Sequence, residues 1–495
     1  MSRAVFLREC LLLAGGYQLV ISYVKALVFL LLSGVCFHLS TCLHHISNNN
    51  TCLRTSLMVA HFSTHVASTS EKHMTAMQTS EKPQSLEAVN PTKLDQNDEP
   101  PNGGYGWVCT VAAAVVMAHS WGFNSAYAVF LAYYLDHETF PGATRLEYAF
   151  IGSLSLTMTF LVSPIATVAT KKYGVRYTML VGMVFETVSL FCASAATQIW
   201  HLFLTQGILF GIGLGSLFVP VATIVPQWFT TKRSLASGIS ISGAGLGGFI
   251  YSLVAGAAIK NLGLVWTFRI LGILSFTVNT TCILLIKDRN KPIKNTKISM
   301  ELPLFKRGSF LLLIGFSCFT IFGYFILIFS LAHYGVEIGL TASQASLIAG
   351  LFNLGQAIGR PLIGYFSDAA GRVRMAGITT FLGSVICLAV WINAKSYGLL
   401  LFFTIAEGLV AGNFWATVAP LVAEVLGVEK VASGMNLVWL SIIIPATFSE
   451  PIALEITAAT GKYLGAQLFA GFMYIAASAC LGWLYIVQRK GRTTP

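Results

Sequence analysis

Long apolar stretches separated by short polar connections fill most of this 495-residue chain. Twelve of them reach or exceed the ~20 residues that an α-helix needs to cross a bilayer. Each is expected to be helical, because a backbone exposed to lipid has to satisfy its own hydrogen bonds. The predicted spans 1 to 12 cover residues 105–134, 147–170, 177–197, 199–229, 234–258, 262–286, 308–332, 343–367, 374–394, 397–426, 430–453 and 464–487. The pattern therefore predicts an all-α membrane protein.

Basic residues are unevenly distributed among the connections. The connections after even-numbered spans, with the C-terminal tail, contain Lys171, Lys172, Arg176, Lys232, Arg233, Arg372, Arg374, Lys430, Arg489, Lys490 and Arg492. The other connections contain the single basic residues Arg145, Lys260, Lys395 and Lys462. Cytoplasmic loops carry an excess of Lys and Arg, so both ends of the helical body are predicted to face the cytoplasm.

The longest basic connection, 287–307, contains seven basic and two acidic residues and leaves six spans on each side. A gap-free offset of 197 residues aligns Pro164 with Pro361 and Gly174 with Gly371, at the same helix-to-loop junction of each half. Internal duplication of this kind is common in transporters. The predicted organisation is an N-terminal region over 1–104, a six-helix half over 105–286, a cytoplasmic linker over 287–307, a second six-helix half over 308–487 and a tail over 488–495.

The N-terminal region does not follow this plan. Its second part is polar and is predicted to be disordered. Residues 18–36 are apolar and could form a signal anchor or an extra span, in which case Asn49 would become a glycosylation acceptor. An ordinary hydrophilic tail begins at Met77, so our interpretation is that the functional chain starts there and that 1–76 is a gene-model extension.

Composition excludes several classes of function. The chain is 55% hydrophobic and 10% charged, whereas soluble domains are about 25% charged. The net charge of +11 is explained by the basic loops, so no nucleic-acid partner is predicted. The ten cysteines form no CxxC pair, and GAGLGG at 243–248 lies inside a predicted span, where glycines allow close helix packing rather than dinucleotide binding. Neither an HExxH nor a GxSxG motif occurs, so we predict no enzyme, metal or cofactor.

Two motifs mark the start of spans 1 and 5: NGGYGWV at 102–108 and WFTTKRSLASGISISG at 228–243. They resemble the two signatures of the monocarboxylate transporter family of the major facilitator superfamily, most of all its fungal members, and the resemblance extends over about 100–490. The matching residues are Gly103, Gly104, Tyr105, Gly106, Trp107, Phe229, Lys232, Arg233, Leu235, Ala236, Gly238 and Gly243. The family pattern is not met at Asn102, Trp228, Thr231, Ser240 and Ser242. The resemblance implies the twelve-helix major facilitator fold.

A third motif follows span 8. It resembles the superfamily's conserved loop, which gates the cytoplasmic side, at Gly364, Asp368, Gly371 and Arg372. Asp368 and Arg372 lie four residues apart and could form a charged latch between two helix ends, or simply a solvated loop. In the first half, Lys171 and Val175 occupy the equivalent positions.

The resemblance carries over only part of the family's substrate site. Mammalian members bind the carboxylate and its proton with a lysine in helix 1 and an Asp–Arg pair in helix 8. Arg360 matches that arginine, but Gln356 replaces the aspartate, Ser125 the lysine and Ala419 a phenylalanine of helix 10. An intramembrane arginine is costly and usually faces a cavity or a partner. Arg360 therefore either binds an anion or pairs with a glutamate or backbone carbonyls to fix packing.

Other polar residues lie within predicted spans. Glu407, Glu186 and His119 are candidates for proton coupling, with structural hydrogen bonding as the alternative for each. Glu407 could also neutralise Arg360. Asn124 and Asn353 could line a cavity together with Gln356 and Ser125. Arg269, Glu424 and Glu450 rank lower because they lie nearer to span ends.

We therefore predict a secondary transporter in which two six-helix halves rock about a central site. The substrate class is a small organic anion or monocarboxylate-like metabolite, with proton symport as one coupling mechanism. Export of a secondary metabolite, transport of a neutral vitamin-like solute, and a non-transporting sensor are the alternatives; the short tail after 487 disfavours the sensor. The predicted partners are the solute and the lipid bilayer, and the plasma membrane is the default location. The sequence does not decide whether an accessory membrane protein is needed.

Overall fold

The computed structural model of the chain describes residues 102–229, 231–289, 301–427 and 430–493. Within these ranges the chain is helical apart from short connections, and no residue is in a β-strand. The apolar segment 18–36, the start at Met77 and most of the basic linker lie outside the described residues. The prediction of an all-α membrane protein is confirmed for the described part.

The described part of the first half contains nine α-helices. They are α1 (Tyr105–His119), α2 (Trp121–Ser125), α3 (Tyr127–Asp136), α4 (Arg145–Leu161), α5 (Ser163–Tyr173), α6 (Val175–Ala193), α7 (Ile199–Leu202), α8 (Phe210–Ile224) and α9 (Arg233–Leu285). A π-helical stretch over Phe203–Leu209 joins α7 to α8, and a 3-10 turn over Val225–Gln227 follows α8.

Eight α-helices lie in the described residues of the second half. They are α10 (Gly308–Glu337), α11 (Ala342–Ala370), α12 (Arg372–Ala389), α13 (Tyr397–Ala411), α14 (Asn413–Leu426), α15 (Val431–Ser441), α16 (Ile443–Thr460) and α17 (Leu464–Thr493). A 3-10 turn over Leu302–Lys306 precedes α10, and another over Trp391–Asn393 follows α12.

These helices cover all twelve predicted spans, although some spans are broken and two are merged. Nine described helical stretches are long and apolar enough to cross a membrane, and some of them consist of two or three consecutive α-helices. The bent pair α4–α5 adds a tenth. Helix α9 holds two spans in its 53 residues, because Gly263 (φ 77°) interrupts it. Helix α11, which forms span 8, is 29 residues long but is not among those ten; it contains Asn353, Gln356 and Arg360. Dividing α9 and including α11 gives twelve spans.

Several spans break near the middle of the membrane. Between α4 and α5 the axis bends by 43°, where Pro164 lies at the start of α5 and has no N–H to continue the hydrogen-bond ladder. Span 1 is interrupted at Ser120 and Ala126, span 10 at Gly412 and span 11 at Ile442.

The two junctions aligned by the 197-residue offset have the same backbone geometry. Gly174, between α5 and α6, has φ 91° and ψ 162°, and Gly371, between α11 and α12, has φ 96° and ψ 132°. Only glycine adopts this region without strain. The shared geometry supports the predicted internal duplication.

Lipid-facing stripes account for the large apolar exposure of the surface. On α6, exposed Val181, Val184 and Val188 recur at helical spacing, and on α12 exposed Phe381 and Val385 do the same. The opposite sides of these helices are buried in the two bundles. Each half therefore presents apolar side chains to the lipid and turns its polar and small residues towards the interior of the bundle.

Candidate functional site

A narrow cavity lies between the two halves, near the middle of the spans. It is lined from the first half by Met117, Trp121, Asn124, Ser125, Phe218, Ile241, Ala244 and Gly245, and from the second by Tyr324, Phe325, Ile328, Phe329, Asn353, Arg360 and Trp415. The space between these side chains admits about one or two water-sized molecules, so the halves must move apart to admit a solute. Arg360 is the charged residue of this lining.

Arg360 is 3% exposed and is held by three hydrogen bonds. Its Nη1 donates to the Ile241 carbonyl across the interface at 2.8 Å, and its Nη2 donates to the Tyr324 hydroxyl at 3.0 Å and to Gln356 Oε1 at 2.5 Å. Its buried Nε has no hydrogen-bond partner among the described residues. A guanidinium has five N–H donors. Arg360 therefore keeps donors free for a ligand.

No carboxylate of the described residues neutralises the positive charge of Arg360. Among the described residues, no carboxylate lies within 4.0 Å of its guanidinium, and the two ion pairs found in that part of the chain involve Arg372 and Lys430. Glu407 does not pair with it, so the prediction that Glu407 could neutralise Arg360 is wrong for this conformation. A buried, unpaired charge is costly unless a counter-charge arrives. The arrangement favours an anion.

A glycine at the break in span 10 makes room for this side chain. A Cβ placed at Gly412 would fall 2.8 Å from Arg360 Nε and 3.3 Å from Gln356 Oε1. Gln356 also accepts a hydrogen bond from the Tyr324 hydroxyl at 2.7 Å. Gln356 itself is absent from the cavity lining. It orients Arg360 from behind, one helical turn away, where the resemblance placed the family's aspartate.

The structure brings the other predicted substrate-binding residues to the same cavity. Asn124 Nδ2 donates to Ser155 Oγ at 2.9 Å, and Ser125 Oγ donates to the Trp121 carbonyl at 3.0 Å. Asn353 Nδ2 donates to the Ala349 carbonyl at 3.1 Å. All three predicted residues line the cavity with Arg360. Their amide and hydroxyl groups supply neutral polar contacts around a single cation.

The predicted proton-coupling residues lie elsewhere. Glu407 is fully buried beside Cys387, and neither of its oxygens has an N–H or O–H partner among the described residues. Glu186 accepts a 3.4 Å hydrogen bond from Asn279, and His119 Nδ1 lies 2.5 Å from the Tyr251 hydroxyl. None of the three predicted residues is part of the cavity lining. Their role in coupling stays a prediction.

Five aromatic residues close one side of the cavity, and three of them, Phe160, Phe218 and Trp439, were not singled out by the sequence. Trp415 packs on Trp121 with ring centroids 5.3 Å apart, and Trp439 packs on Phe160 at 5.8 Å and on Phe218 at 5.2 Å. Trp121, Phe160 and Phe218 belong to the first half, and the two tryptophans to the second. We call these five residues the aromatic layer.

We call the membrane face that carries Lys171, Lys172, Lys232, Arg372 and Lys430 the basic face. Trp439 is the ninth residue of α15 counted from this face, whereas Tyr324 of the cavity is the seventeenth of α10. The aromatic layer therefore separates the cavity from the basic face. It closes the molecule on that side.

Helices α9 and α11 complete this closure through glycines. A Cβ placed at any of three glycines would fall within 2.7 Å of a backbone oxygen of the other half, closer than real contacts allow. The glycine, the carbonyl and the distance are Gly364 and Ser234 at 2.5 Å, Gly238 and Arg360 at 2.7 Å, and Gly245 and Asn353 at 2.6 Å. Gly238 is a matching residue of the second motif, so part of that motif serves contact between the halves.

The two family motifs contact each other at the basic face. The Asn102 N–H donates to the Trp228 carbonyl at 3.1 Å, and Asn102 Oδ1 accepts from the Thr231 N–H at 3.1 Å. Trp107 packs edge-on against Phe229 with centroids 4.9 Å apart. Two of the departures from the family pattern, Asn102 and Thr231, are therefore paired with each other.

The remaining aromatic of the first motif reaches the end of α9. Tyr105 donates to the Leu285 carbonyl at 2.7 Å, and the Lys287 ammonium lies 4.2 Å from the centre of its ring. A Cβ placed at Gly106 would fall 2.8 Å from Trp228 Cβ, so only glycine allows this approach. The motifs thus join the starts of spans 1 and 5 to the end of span 6.

The third motif forms a charged cluster at the same face. Arg372 Nη2 lies 4.0 Å from Asp368 Oδ1, at the limit of an ion pair, with both side chains partly exposed. The charges of both residues also act on Arg233 at the start of α9. A partly exposed pair of this length contributes little stability alone. Its position between α9, α11 and α12 suits a contact that forms when this face is closed.

Two six-helix halves around a central cavity that contains a buried arginine, closed at one face by contacts between the halves, define a solute transporter of the membrane. A family model described as Major Facilitator Superfamily matches residues 109–332 and 311–495. The chain belongs to the major facilitator superfamily, and its fold is the major facilitator fold. It is a transporter, not an enzyme.

Similar proteins are fungal transporters. The chain is 31% identical over 402 residues to the probable transporter MCH2 of Saccharomyces cerevisiae, covering 79% of this chain and 85% of the relative. It is 32% identical over 412 residues to the transporter ESBP6 of the same yeast, of which it spans 61%. It is 28% identical over 389 residues to the fujikurins efflux protein of Gibberella fujikuroi, covering 78% and 83%.

Proposed function

We propose that this chain is a secondary transporter of a small organic anion, bound between the halves by Arg360. The observation that carries the proposal is a buried guanidinium in the cavity lining with no carboxylate within 4.0 Å among the described residues. A planar guanidinium matches the two oxygens of a carboxylate. A monocarboxylate would supply the missing counter-charge.

The rest of the lining indicates the shape of the substrate. Trp121, Phe218, Tyr324, Phe325 and Trp415 surround the arginine with apolar and aromatic surface. Sites of this kind bind a largely apolar body and orient it through a few polar groups. The favoured substrate is therefore a monocarboxylate with an apolar or aromatic body, oriented by Asn124, Ser125 and Asn353.

Alternating access supplies the mechanism. The contacts between α9 and α11 and the aromatic layer close the basic face, which by its Lys and Arg content is the cytoplasmic one. Separation of these contacts would open the site to the cytoplasm while the opposite side closes. We propose the plasma membrane as the location, with both ends of the helical body in the cytoplasm and an ion gradient as the source of energy.

Efflux of a secondary metabolite is the second candidate function. It is favoured by the aromatic lining and by the resemblance to a protein named for fujikurin efflux. The two candidates differ in direction and substrate size but use the same arginine. A neutral vitamin-like solute would leave the Arg360 charge unanswered, so the geometry favours it less.

The test is transport by purified protein in proteoliposomes with labelled pyruvate, benzoate and phenylacetate. Saturable flux of at least one acid is expected from the wild type. Arg360→Ala removes a charge-assisted contact worth about 1.5–3 kcal/mol, so apparent affinity should fall about 10- to 150-fold.

Arg269→Ala is the matched control, because Arg269 bonds Ser194 in the first half and is absent from the cavity lining. It should transport like the wild type. Equal flux from Arg360→Ala and wild type, or wild-type flux only of an uncharged analogue such as benzyl alcohol, would contradict the proposal.

A further inference from the structure

A second buried carboxylate lies in the second half, beyond the residues used above. Glu450 of α16 is 6% exposed and accepts hydrogen bonds from Ser330 Oγ of α10 at 3.0 and 3.2 Å. Among the described residues no Lys, Arg or His nitrogen lies within 4.0 Å of it. An ionised carboxylate in such a place costs several kcal/mol. A bound proton would remove this cost.

A row of neighbouring polar side chains leads away from this carboxyl group. The Tyr463 hydroxyl lies near Ser330, and the charge state of Glu450 affects it electrostatically. It also lies 2.6 Å from Nδ1 of His333, which is half-buried one turn after Ser330. Tyrosine and histidine both donate and accept protons. The array Glu450–Ser330–Tyr463–His333 thus connects the carboxyl group to a ring that reaches the surface.

The outer end of the array carries charge of both signs. His333 and Tyr463 experience the charges of Arg145 at the start of α4 and of Glu337 at the end of α10. Arg145 and Glu337 both lie at the face opposite the basic face, and Glu337 is exposed. Arg145 belongs to the first half and the others to the second. Protons can therefore enter at a point where the two halves meet.

The inner end of the array is linked to the contact between the halves. Thr447, one turn before Glu450, has its hydroxyl oxygen 2.5 Å from that of Thr157 on α4. Pro451 follows Glu450 inside the helix and has no N–H for the Thr447 carbonyl, which weakens the helix at this turn. Phe329, next to Ser330, lines the cavity. A change at Glu450 can thus reach both the interface and the substrate site.

We propose that Glu450 is the proton-binding residue of the transporter, loaded from the face opposite the basic face through His333 and Tyr463. The idea rests on the proposed anion transport, for which it supplies the coupling. A carboxylate that must be neutral when the halves close lets closure proceed with a bound proton and resists closure without one. The contacts of Glu407 and Glu186 are different: Glu407 lies beside Cys387 and Glu186 beside Asn279, each partner in the same half.

The first experiment measures pH-driven accumulation of whichever labelled acid the wild type carries, and exchange of the same acid without a gradient. Glu450→Gln mimics the protonated side chain. Accumulation should fall to the level of protein-free vesicles while exchange persists. Glu455→Gln, an exposed carboxylate on the same helix, should behave like the wild type. His333→Gln should slow accumulation and leave exchange unchanged.

Three results would overturn the proposal: undiminished accumulation by Glu450→Gln, loss of accumulation in Glu407→Gln instead, or wild-type accumulation driven by a sodium gradient alone. If a folded, monodisperse Glu450→Gln lost accumulation and exchange equally, the role of Glu450 would be structural. In that case Glu450→Asp, which keeps a carboxyl group, should fail to restore coupling.

A second measurement needs no substrate and separates this proposal from the proposed function. Infrared difference spectra of the protein in bilayers, between acidic and alkaline buffer, should show a carboxyl C=O band that Glu450→Gln loses and Glu455→Gln keeps. If no acid is transported but the band behaves in this way, the anion proposal fails and the proton site stands. Persistence of the band in Glu450→Gln refutes the proton site.

Discussion

One methyl group placed between α9 and α11 should open the basic face. In Gly245→Ala the new Cβ would lie 2.6 Å from the Asn353 carbonyl and 2.7 Å from the Ala357 nitrogen. Both are backbone atoms in the middle of a helix, so neither can move aside locally. The methyl group fits only if the two halves separate along this contact.

The size of the effect follows from the location of the overlap. Overpacking of a well-packed contact costs about 1–3 kcal/mol. Because the contact exists only when the basic face is closed, the whole cost falls on the closed conformers. The ratio of open to closed molecules should therefore rise about 5- to 150-fold.

Cysteine labelling can measure this shift. Ser234 is 1% exposed, lies at the Gly364 contact near the basic face, and its hydroxyl has no hydrogen-bond partner among the described residues. A Ser234→Cys reporter in a cysteine-free background should react with an impermeant maleimide supplied at the basic face. The reaction should be faster when Gly245→Ala is added, in proportion to the open fraction.

Two other glycines of α9 provide controls. At Gly256 a Cβ would meet only Val129, at 3.8 Å, so Gly256→Ala should leave labelling unchanged. At Gly243 it would fall 1.8 Å from the Ala114 carbonyl inside the first half, so Gly243→Ala should lower the thermal unfolding temperature. Unchanged reporter labelling in a folded Gly245→Ala protein would refute the reasoning, because the contact would then be able to absorb a methyl group.

Two further predictions concern the site. Gln356→Asp places a carboxylate one turn from Arg360, so the anion affinity measured by calorimetry should fall at neutral pH. It should recover at lower pH, when the new carboxylate takes up a proton. An affinity independent of pH would contradict this prediction. Trp439→Ala removes a ring that packs on Phe160 and Phe218, so the free energy of unfolding should fall by about 3–5 kcal/mol. Labelling of the Ser234→Cys reporter should become faster. An unchanged unfolding temperature would show that the aromatic layer does not stabilise the closed state.

Apolar length and loop charge were sufficient to predict the spans, since lipid imposes both directly on the sequence. The motif around Arg360 was sufficient to place the arginine at the centre. The hydrogen bonds that orient it were not predictable, because Tyr324 lies in an apolar span where nothing in the local pattern separates a cavity-facing ring from a lipid-facing one. The same ambiguity concealed Trp439. Which side of a helix faces the cavity is decided by its neighbours in space.

Glu450 shows a second reason for failure. Span 11 was predicted to end at 453, which placed Glu450 near the membrane surface and lowered its rank. Helix α16 continues to Thr460, so the residue lies more than two turns from the helix end and is buried. Glu455, just beyond the predicted end of the span, lowers the local hydropathy, although its side chain is exposed. A single charged residue at the surface thus concealed a buried one.

Arg360 belongs both to the proposed substrate site and to the contact between the halves, and this double role would link binding to closure. Its guanidinium donates to the Ile241 carbonyl of the other half, and its own carbonyl meets Gly238 of the same helix. Closure therefore places an unneutralised charge between the halves, which an anion relieves. A ligand shifts a conformational equilibrium only by its differential affinity for the two states. Here the difference would come from one side chain, because in the closed structure Arg360 contacts both halves. In our proposal Glu450 follows the same rule, with a proton in place of the anion. A substrate anion and a proton would each remove one obstacle to the same movement.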